Sequence, residues 1–271
     1  MSFYTSLTGL KNAQTDLSVI SHNIANAETG GFKKSDTAFS DIVSASILTD
    51  PALTTGIGAR VASITQNFSL GPIEQTGSAL DVAVNGEGFF TVVNPLSGET
   101  QYTRNGSFTV DGNGFVKNAQ GARLQVFPVD ATGAITSMTT LQDVQIPPQN
   151  AAGADFAGVT INPSGEVIAT YADGTNTTLG VLGLATFIAP TGLKQLGNAS
   201  WSATGISGNA TYGQPGSGGF GALLPGALER SNVDIAEELV SLITAQRNFQ
   251  ANAKAVDTAT QISQTIIQLR S

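Results

Sequence analysis

The chain has 271 residues: 12 Lys or Arg, 20 Asp or Glu, one His and no Cys, for a formal net charge of −8. The length allows one large domain or two smaller ones, and the negative charge argues against nucleic acid as a partner, because neutralising phosphates needs a basic face. The missing Cys removes disulfide frameworks and thiolate sites, the single His removes paired-histidine metal motifs, no apolar run approaches the ~20 residues of a membrane span, and no basic patch before a solid apolar block marks a cleaved secretory signal.

The first thirty residues predict a helix. Phe3, Leu10, Leu17 and Ile24 recur every seven residues, and Ala13, Ile20 and Ala27 fill the second position of a coiled-coil seam, with Ser6 the polar exception. Thr29-Gly30-Gly31 ends it, since glycine takes the left-handed C-cap conformation at low cost. Residues 1–34 are therefore expected as an N-terminal helix, and 35–75 as a connector with little regular structure, although Val61 to Phe68 alternates like a strand.

From 76 to 226 the texture changes to short alternating runs split by Gly, Asn, Asp and Pro. Leu80, Val82 and Val84 alternate before Gly86-Glu87-Gly88. Phe108 and Val110 precede Asp111-Gly112-Asn113-Gly114, and Val167 to Tyr171 leads into Asp173-Gly174. Asp-Gly between alternating runs is a hairpin signal, so this stretch predicts an all-β domain. Residues 205–220 form a glycine-rich loop. Over 227–271 a second helix is expected, started by Ser231, Asn232 and Asp234. Ile235, Leu242, Phe249 and Val256 form one seven-residue series and Leu239, Gln246 and Ala253 the other. Near Val256 the frame shifts, and Ala259, Ile262, Ile266 and Leu269 continue the stripe, as at a stutter. The fold class is thus α+β: a central all-β domain between two terminal coiled-coil-like helices that pair with each other.

Charge follows the same division. Residues 1–34 carry a net +1, 227–271 a net −1, and the middle all of the excess. Acidic repulsion suits a soluble domain, while neutral apolar ends suit packing. A helix pair that buries one narrow stripe is marginal alone, so the helices are expected to complete their burial against neighbouring copies.

Three motifs invite chemistry and fail their context tests. Gly216-Ser217-Gly218-Gly219-Phe220-Gly221 fits G-x-G-x-x-G, but Pro225 and Gly226 interrupt the helix a dinucleotide site needs. His22 lies on the first helix with no second His or Cys to work with. The loop at Asp111 has Ala122 where a calcium-binding loop needs Glu. No catalytic, cofactor or metal residue is assigned. Asn23 and Asn26, poor helix formers placed mid-helix, are expected to bond to the partner helix or a neighbouring copy.

Four stretches resemble a known family. Gly9-Leu10, Leu17, Ile20-Ser21, Asn23-Ile24-Ala25-Asn26, Thr29 and Gly31-Phe32-Lys33 resemble the N-terminal signature of bacterial flagellar rod and hook proteins. Leu80-Asp81-Val82-Ala83-Val84 with Gly86 and Gly88-Phe89-Phe90, and Tyr102-Thr103-Arg104-Asn105-Gly106-Ser107-Phe108, are similar to its two core β-motifs. Ser231-Asn232-Val233-Asp234, Glu237-Glu238-Leu239-Val240 and Gln246-Arg247 resemble its C-terminal helix motif. Within the family the resemblance is nearer to hook subunits, through Gly218 to Gly221 and Gly226-Ala227-Leu228-Glu229. The length is closer to the distal rod, and the segment between Phe39-Ser40-Asp41 and Gly56-Ile57-Gly58 is intermediate, longer than in short hooks and shorter than in the rod protein. The chain reads as a short hook subunit lacking an outer inserted domain, with the distal rod as the alternative.

The resemblance implies a structural, non-enzymatic subunit that leaves the cell through the type III export apparatus without a cleaved signal. It implies self-assembly into the hollow axial structure of the flagellum, where the chain would meet copies of itself, the rod, the hook cap and the hook–filament junction proteins. No nucleic-acid partner, membrane insertion or cofactor is implied. The assembly residues would be Phe3, Leu10, Leu17, Ile20, Asn23, Ile24, Asn26, Ile235, Leu239, Leu242, Phe249 and Val256. Two competing classes remain at this level. An extracellular β-domain enzyme such as a glycosidase would need paired carboxylates, which no spacing singles out. A ligand-binding β-module on a dimerising stalk would form a soluble dimer rather than a polymer.

Overall fold

The computed structural model describes residues 2–43, 56–130 and 133–270. The chain divides into two compact units. One combines residues up to Ala27 with Lys34–Asn67 and Val233 onwards; the other combines Glu28–Lys33 with Phe68–Asn232.

The first unit is built on two helices, α1 (Ser2–Ala25) and α2 (Ile235–Arg270), with α1 packed along α2. The side chain of Asp234 caps α2, accepting from the amides of Ala236 (2.8 Å) and Glu237 (3.2 Å). Glu237 and Glu238 complement the positive end of the helix dipole. Where the sequence reads as a connector, β1 (Ser35–Val43) and β2 (Gly56–Gln66) pair as antiparallel strands, from Ser35 opposite Gln66 to Val43 opposite Gly56, with register shifts after Ala38 and Ile42. Both strands are largely exposed, so they lack the clean apolar alternation that marks a half-buried strand. The hairpin lies against α1. The Thr37 hydroxyl donates to Asp16, and a side chain at Gly58 (φ +138°) would stand 2.4 Å from the Thr8 hydroxyl.

The second unit is all antiparallel β. Its main sheet runs, edge to edge, through Phe156–Ile161, Glu166–Tyr171, Asn176–Leu182, Arg123–Phe127, Phe89–Val93, Thr100–Thr103, Ser200–Ser202 and Lys194–Gly197. Strand alternation divides the interior into two cores. Phe90, Val92, Leu124, Val126, Leu182 and Leu184 face one, and Phe89, Tyr102, Ala185, Phe187 and Trp201 face the other. Edge-to-face stacking of Phe68 and Phe89 on Trp201 tightens the second core. The Asp-Gly turns close hairpins as expected. Asp111 accepts from the amides of Asn113 and Phe115, both at 2.9 Å, and Gly114 takes φ +79°. Those bonds make the Asp111 loop a turn.

Two short ladders tie the end of this unit to its beginning. Ala222–Pro225 pairs with Val82–Asn85, and Ala227–Glu229 with Ile73–Gln75.

Candidate assembly surface

The helix pair keeps part of the expected seam and shifts the rest. On α1, Ala13, Ile20 and Asn23 are buried, and Leu10, Leu17 and Ile24 are half-buried. On α2, Leu242, Phe249 and Val256 are half-buried as one seam position. The second position is filled by Glu238, Ala245 and Asn252, one residue before the expected Leu239, Gln246 and Ala253. Glu238 and Ala245 are buried. Small and polar side chains win this position because they let the backbones approach. A side chain at Gly9 would stand 2.5 Å from the Asn252 side-chain oxygen. Ile235 and Leu239 consequently turn outward, each 45% exposed.

Asn23 is the polar centre of the seam. Its amide nitrogen donates to the Ser35 carbonyl (2.9 Å) and to Glu238 (3.3 Å), and its oxygen accepts from the Ser35 amide (2.9 Å). One side chain thus joins α1, the start of β1 and the first turn of α2. Asn26 bonds locally, donating to the His22 carbonyl at 2.9 Å, one turn back.

Asn23 faces Glu238 and Gly9 faces Asn252, so equal steps along the two helices match. Carried on, this antiparallel register brings the start of α1 level with Ala259. Beyond that point, each residue from Thr260 to Leu269 is exposed. The stretch contains Ile262 (56%), Ile266 (59%), Ile267 (69%) and Leu269 (83%). Phe3, Val240 and Ile243 add further outward apolar surface.

Three of the quoted motifs meet in the β-unit at a buried ionic cluster that the sequence reading leaves unassigned. Lys33 and Glu229 are fully buried and 2.5 Å apart, and Arg104 lies 3.6 Å from the second carboxylate oxygen. Lys33 also donates to the Ser69 carbonyl (2.7 Å), the Gly71 amide donates to Glu229 (2.9 Å), and Arg104 donates to the Gly86 carbonyl (2.9 Å). Desolvation pulls the Lys33 ammonium below its usual range, opposed by the Glu229 charge; burial does the same to Arg104. Around the cluster the backbones close up. The Gly31 amide donates to the Glu229 carbonyl (2.8 Å), and a side chain at Gly31 (φ +69°) would strike the Asn105 amide at 2.6 Å. The available signal was rarity. In a chain with only 12% charged residues, each of these three charges sits inside a glycine-rich or apolar motif.

Among the described residues, no three His, Asp or Glu side chains gather to hold a metal ion. The organised features are packing surfaces and a structural ion cluster.

Comparison with known proteins agrees with that character. Residues 3–33 match the family model described as flagella basal body rod protein, 83–169 that of the flagellar hook protein FlgE/F/G D1 domain, and 224–269 that of the flagellar basal body rod FlgEFG protein C-terminal. The flagellar basal-body rod protein FlgG of Bacillus subtilis is 33% identical over 99% of this chain and 98% of its own length. FlgG of Buchnera aphidicola subsp. Schizaphis graminum is 35% identical over 99% of both. The flagellar hook protein FlgE of Salmonella typhimurium is 28% identical over the whole of both chains, in an alignment of 411 positions.

Terminal helices joined to an all-β unit thus define a structural subunit of the flagellar axis. The chain belongs to the bacterial flagellar rod and hook family. Lys33, Arg104 and Glu229 fall within, or immediately beside, the segments those family models match.

Proposed function

We propose that this chain is a subunit of the flagellar hook, polymerising into a curved hollow tube that transmits torque while it bends. The observation that carries self-assembly is the end of α2, where Ile262, Ile266, Ile267 and Leu269 stand exposed beyond the reach of α1. Full burial of such a side chain is worth about 1.5–3 kcal/mol. Four of them per copy supply a driving force of the order needed to offset the ~4–15 kcal/mol cost of association. Copies of the same chain are the partners that bury them. The rod, the hook cap and the hook–filament junction proteins lie at the ends of the tube, and the type III export apparatus delivers the chain to the extracellular flagellum. It works as a structural element and not as an enzyme.

The hook position is supported by the character of the helices. From Leu239 on, α2 carries only Arg247, Lys254, Asp257 and Arg270 as charges, and α1 only Lys11 and Asp16 besides His22. Helices poor in fixed ion pairs can slide past one another, as bending under rotation requires. The second reading, the distal rod, is favoured by the near-equal length of the FlgG relatives.

Negative-stain electron microscopy of concentrated full-length protein separates these readings. Curved tubes are expected, and straight rigid tubes would move the assignment to the rod. An Ile262→Asp/Ile266→Asp variant that still polymerised normally would refute the role given to the α2 end.

A further inference from the structure

Two apolar features of the β-unit are left over once the helices are assigned to assembly. The first is a protrusion. Ile188 and Ile206 are 91% and 80% exposed. They lie on neighbouring loops, held together by the Ala189 amide donating to the Ser207 carbonyl (3.3 Å) and the Thr204 hydroxyl donating to the Gly192 carbonyl (2.6 Å). The second is a groove of about 620 Å³ between the Asp111–Gly114 turn and the 145–148 segment, with Val110, Pro147, Pro148 and Phe156 among its lining. That volume is in the range of pockets that take apolar groups, roughly 300–1,000 Å³, and leaves room for two aliphatic side chains.

The groove is built against Phe156–Ile161, an edge strand, and the Asp111–Gly114 turn, which joins the sheet through Val116–Lys117 and Arg123–Phe127. Ile188 follows Leu184–Thr186, which pairs with Phe89–Val93 and Thr211–Gly213, and Ile206 follows Ser200–Ser202. Both isoleucines stand exposed in the folded unit, so neither occupies the groove of its own copy. A surface that fits a different surface on the next copy is heterologous, and repeats into an open array unless rotation closes it. The charges agree. Asp111 and Asp155 stand in the groove lining, and exposed Lys194 follows Gly192, whose backbone abuts Ile206.

We infer that Ile188 and Ile206 of one copy seat in the Val110–Pro147–Pro148–Phe156 groove of the next, making a head-to-tail contact between β-units of successive copies. This rests on the self-assembly reading above but uses a surface separate from the helices.

The absence of native Cys gives a clean test. A full-length Pro148→Cys/Ile206→Cys variant changes two exposed positions and is treated with a short bis-maleimide under tube-forming conditions. A ladder of dimers, trimers and higher species is expected from the double variant. Dimers alone are expected from a mixture of the two single variants. Ile206→Asp should raise the concentration needed to polymerise by at least about tenfold. Tubes that form without a ladder would overturn the contact and leave the self-assembly reading standing. A ladder without tubes would uphold the contact and remove the tube. Neither tubes nor ladder would overturn both.

Discussion

Replacing Glu229 by Gln tests the buried cluster most directly. In the native unit one carboxylate faces two cations, Lys33 at 2.5 Å and Arg104 at 3.6 Å, and all three side chains are 4% exposed or less. Glutamine keeps the shape and can still accept from the Gly71 amide, but it removes the carboxylate that lies against both Lys33 and Arg104 and leaves two buried cations near each other. Breaking a buried pair in this way costs about 3–5 kcal/mol. For a unit of this size each kcal/mol moves the melting temperature by roughly 2–4 °C, so a fall of roughly 6–20 °C is expected. Lys33→Met is the informative control. It gives up the bonds to Glu229 and to the Ser69 carbonyl but leaves Arg104 to balance the carboxylate, so a smaller loss than for Glu229→Gln is expected. Trp201 is the single tryptophan and is fully buried in the second core of the same unit, so its fluorescence on heating reports this unit. A Glu229→Gln shift below about 2 °C, or a larger shift for Lys33→Met than for Glu229→Gln, would refute the electrostatic account.

Other consequences are equally specific. Gly106→Ala would place a methyl carbon 1.7 Å from the Val82 carbonyl oxygen. Backbone cannot yield that distance, so a loss of about 4 kcal/mol or more is expected, read as loss of the cooperative urea transition; a native-like midpoint would contradict the packing. Burial, reinforced by the Tyr212 hydroxyl 3.0 Å away, pushes the Tyr102 phenol well above its ordinary value of 10.0. The folded state then holds a proton that the unfolded chain releases above about pH 10, so stability falls as pH rises through that point. Tyr102→Phe should flatten this alkaline slope in urea titrations at pH 9 and 11, and equal slopes would exclude the effect. Asn23→Ala strips partners from the buried Ser35 backbone and from Glu238, costing about 1–3 kcal/mol. Hydrogen exchange of the α1 amides should therefore speed up in Asn23→Ala, and unchanged protection would contradict this account.

The parts legible in the sequence were those where period and burial coincide. Heptads at both ends announced the helices, and Asp-Gly turns between alternating runs announced the β-unit. Most of the hairpin from Ser35 to Gln66 was hidden because its strands are mostly exposed, and only the stretch from Val61 alternates enough to read as a strand. The second seam of α2 was misplaced by one residue because the reading sought apolar side chains. The helices instead approach over Gly9, Ala13 and Ala245, with Asn23 and Glu238 satisfying one another. Residues 28–33 read as the end of a helix, yet they belong with the β-unit, since Lys33 finds its charge partner 196 residues away at Glu229. Spacing along a chain carries no trace of a contact that distant. The two apolar features of the β-unit share no periodic pattern along the chain.

The closing of the β-unit on itself has a mechanical consequence. Its entering and leaving segments touch: the Gly31 amide bonds to the Glu229 carbonyl, and Lys33 to the Glu229 carboxylate. Tension drawn between the segments that lead to α1 and α2 is therefore borne at this junction, and the strands between Phe68 and Arg230 stay slack until it parts. In a pulling experiment on the β-unit the junction, together with the two short ladders beside it, would part before the main sheet is loaded.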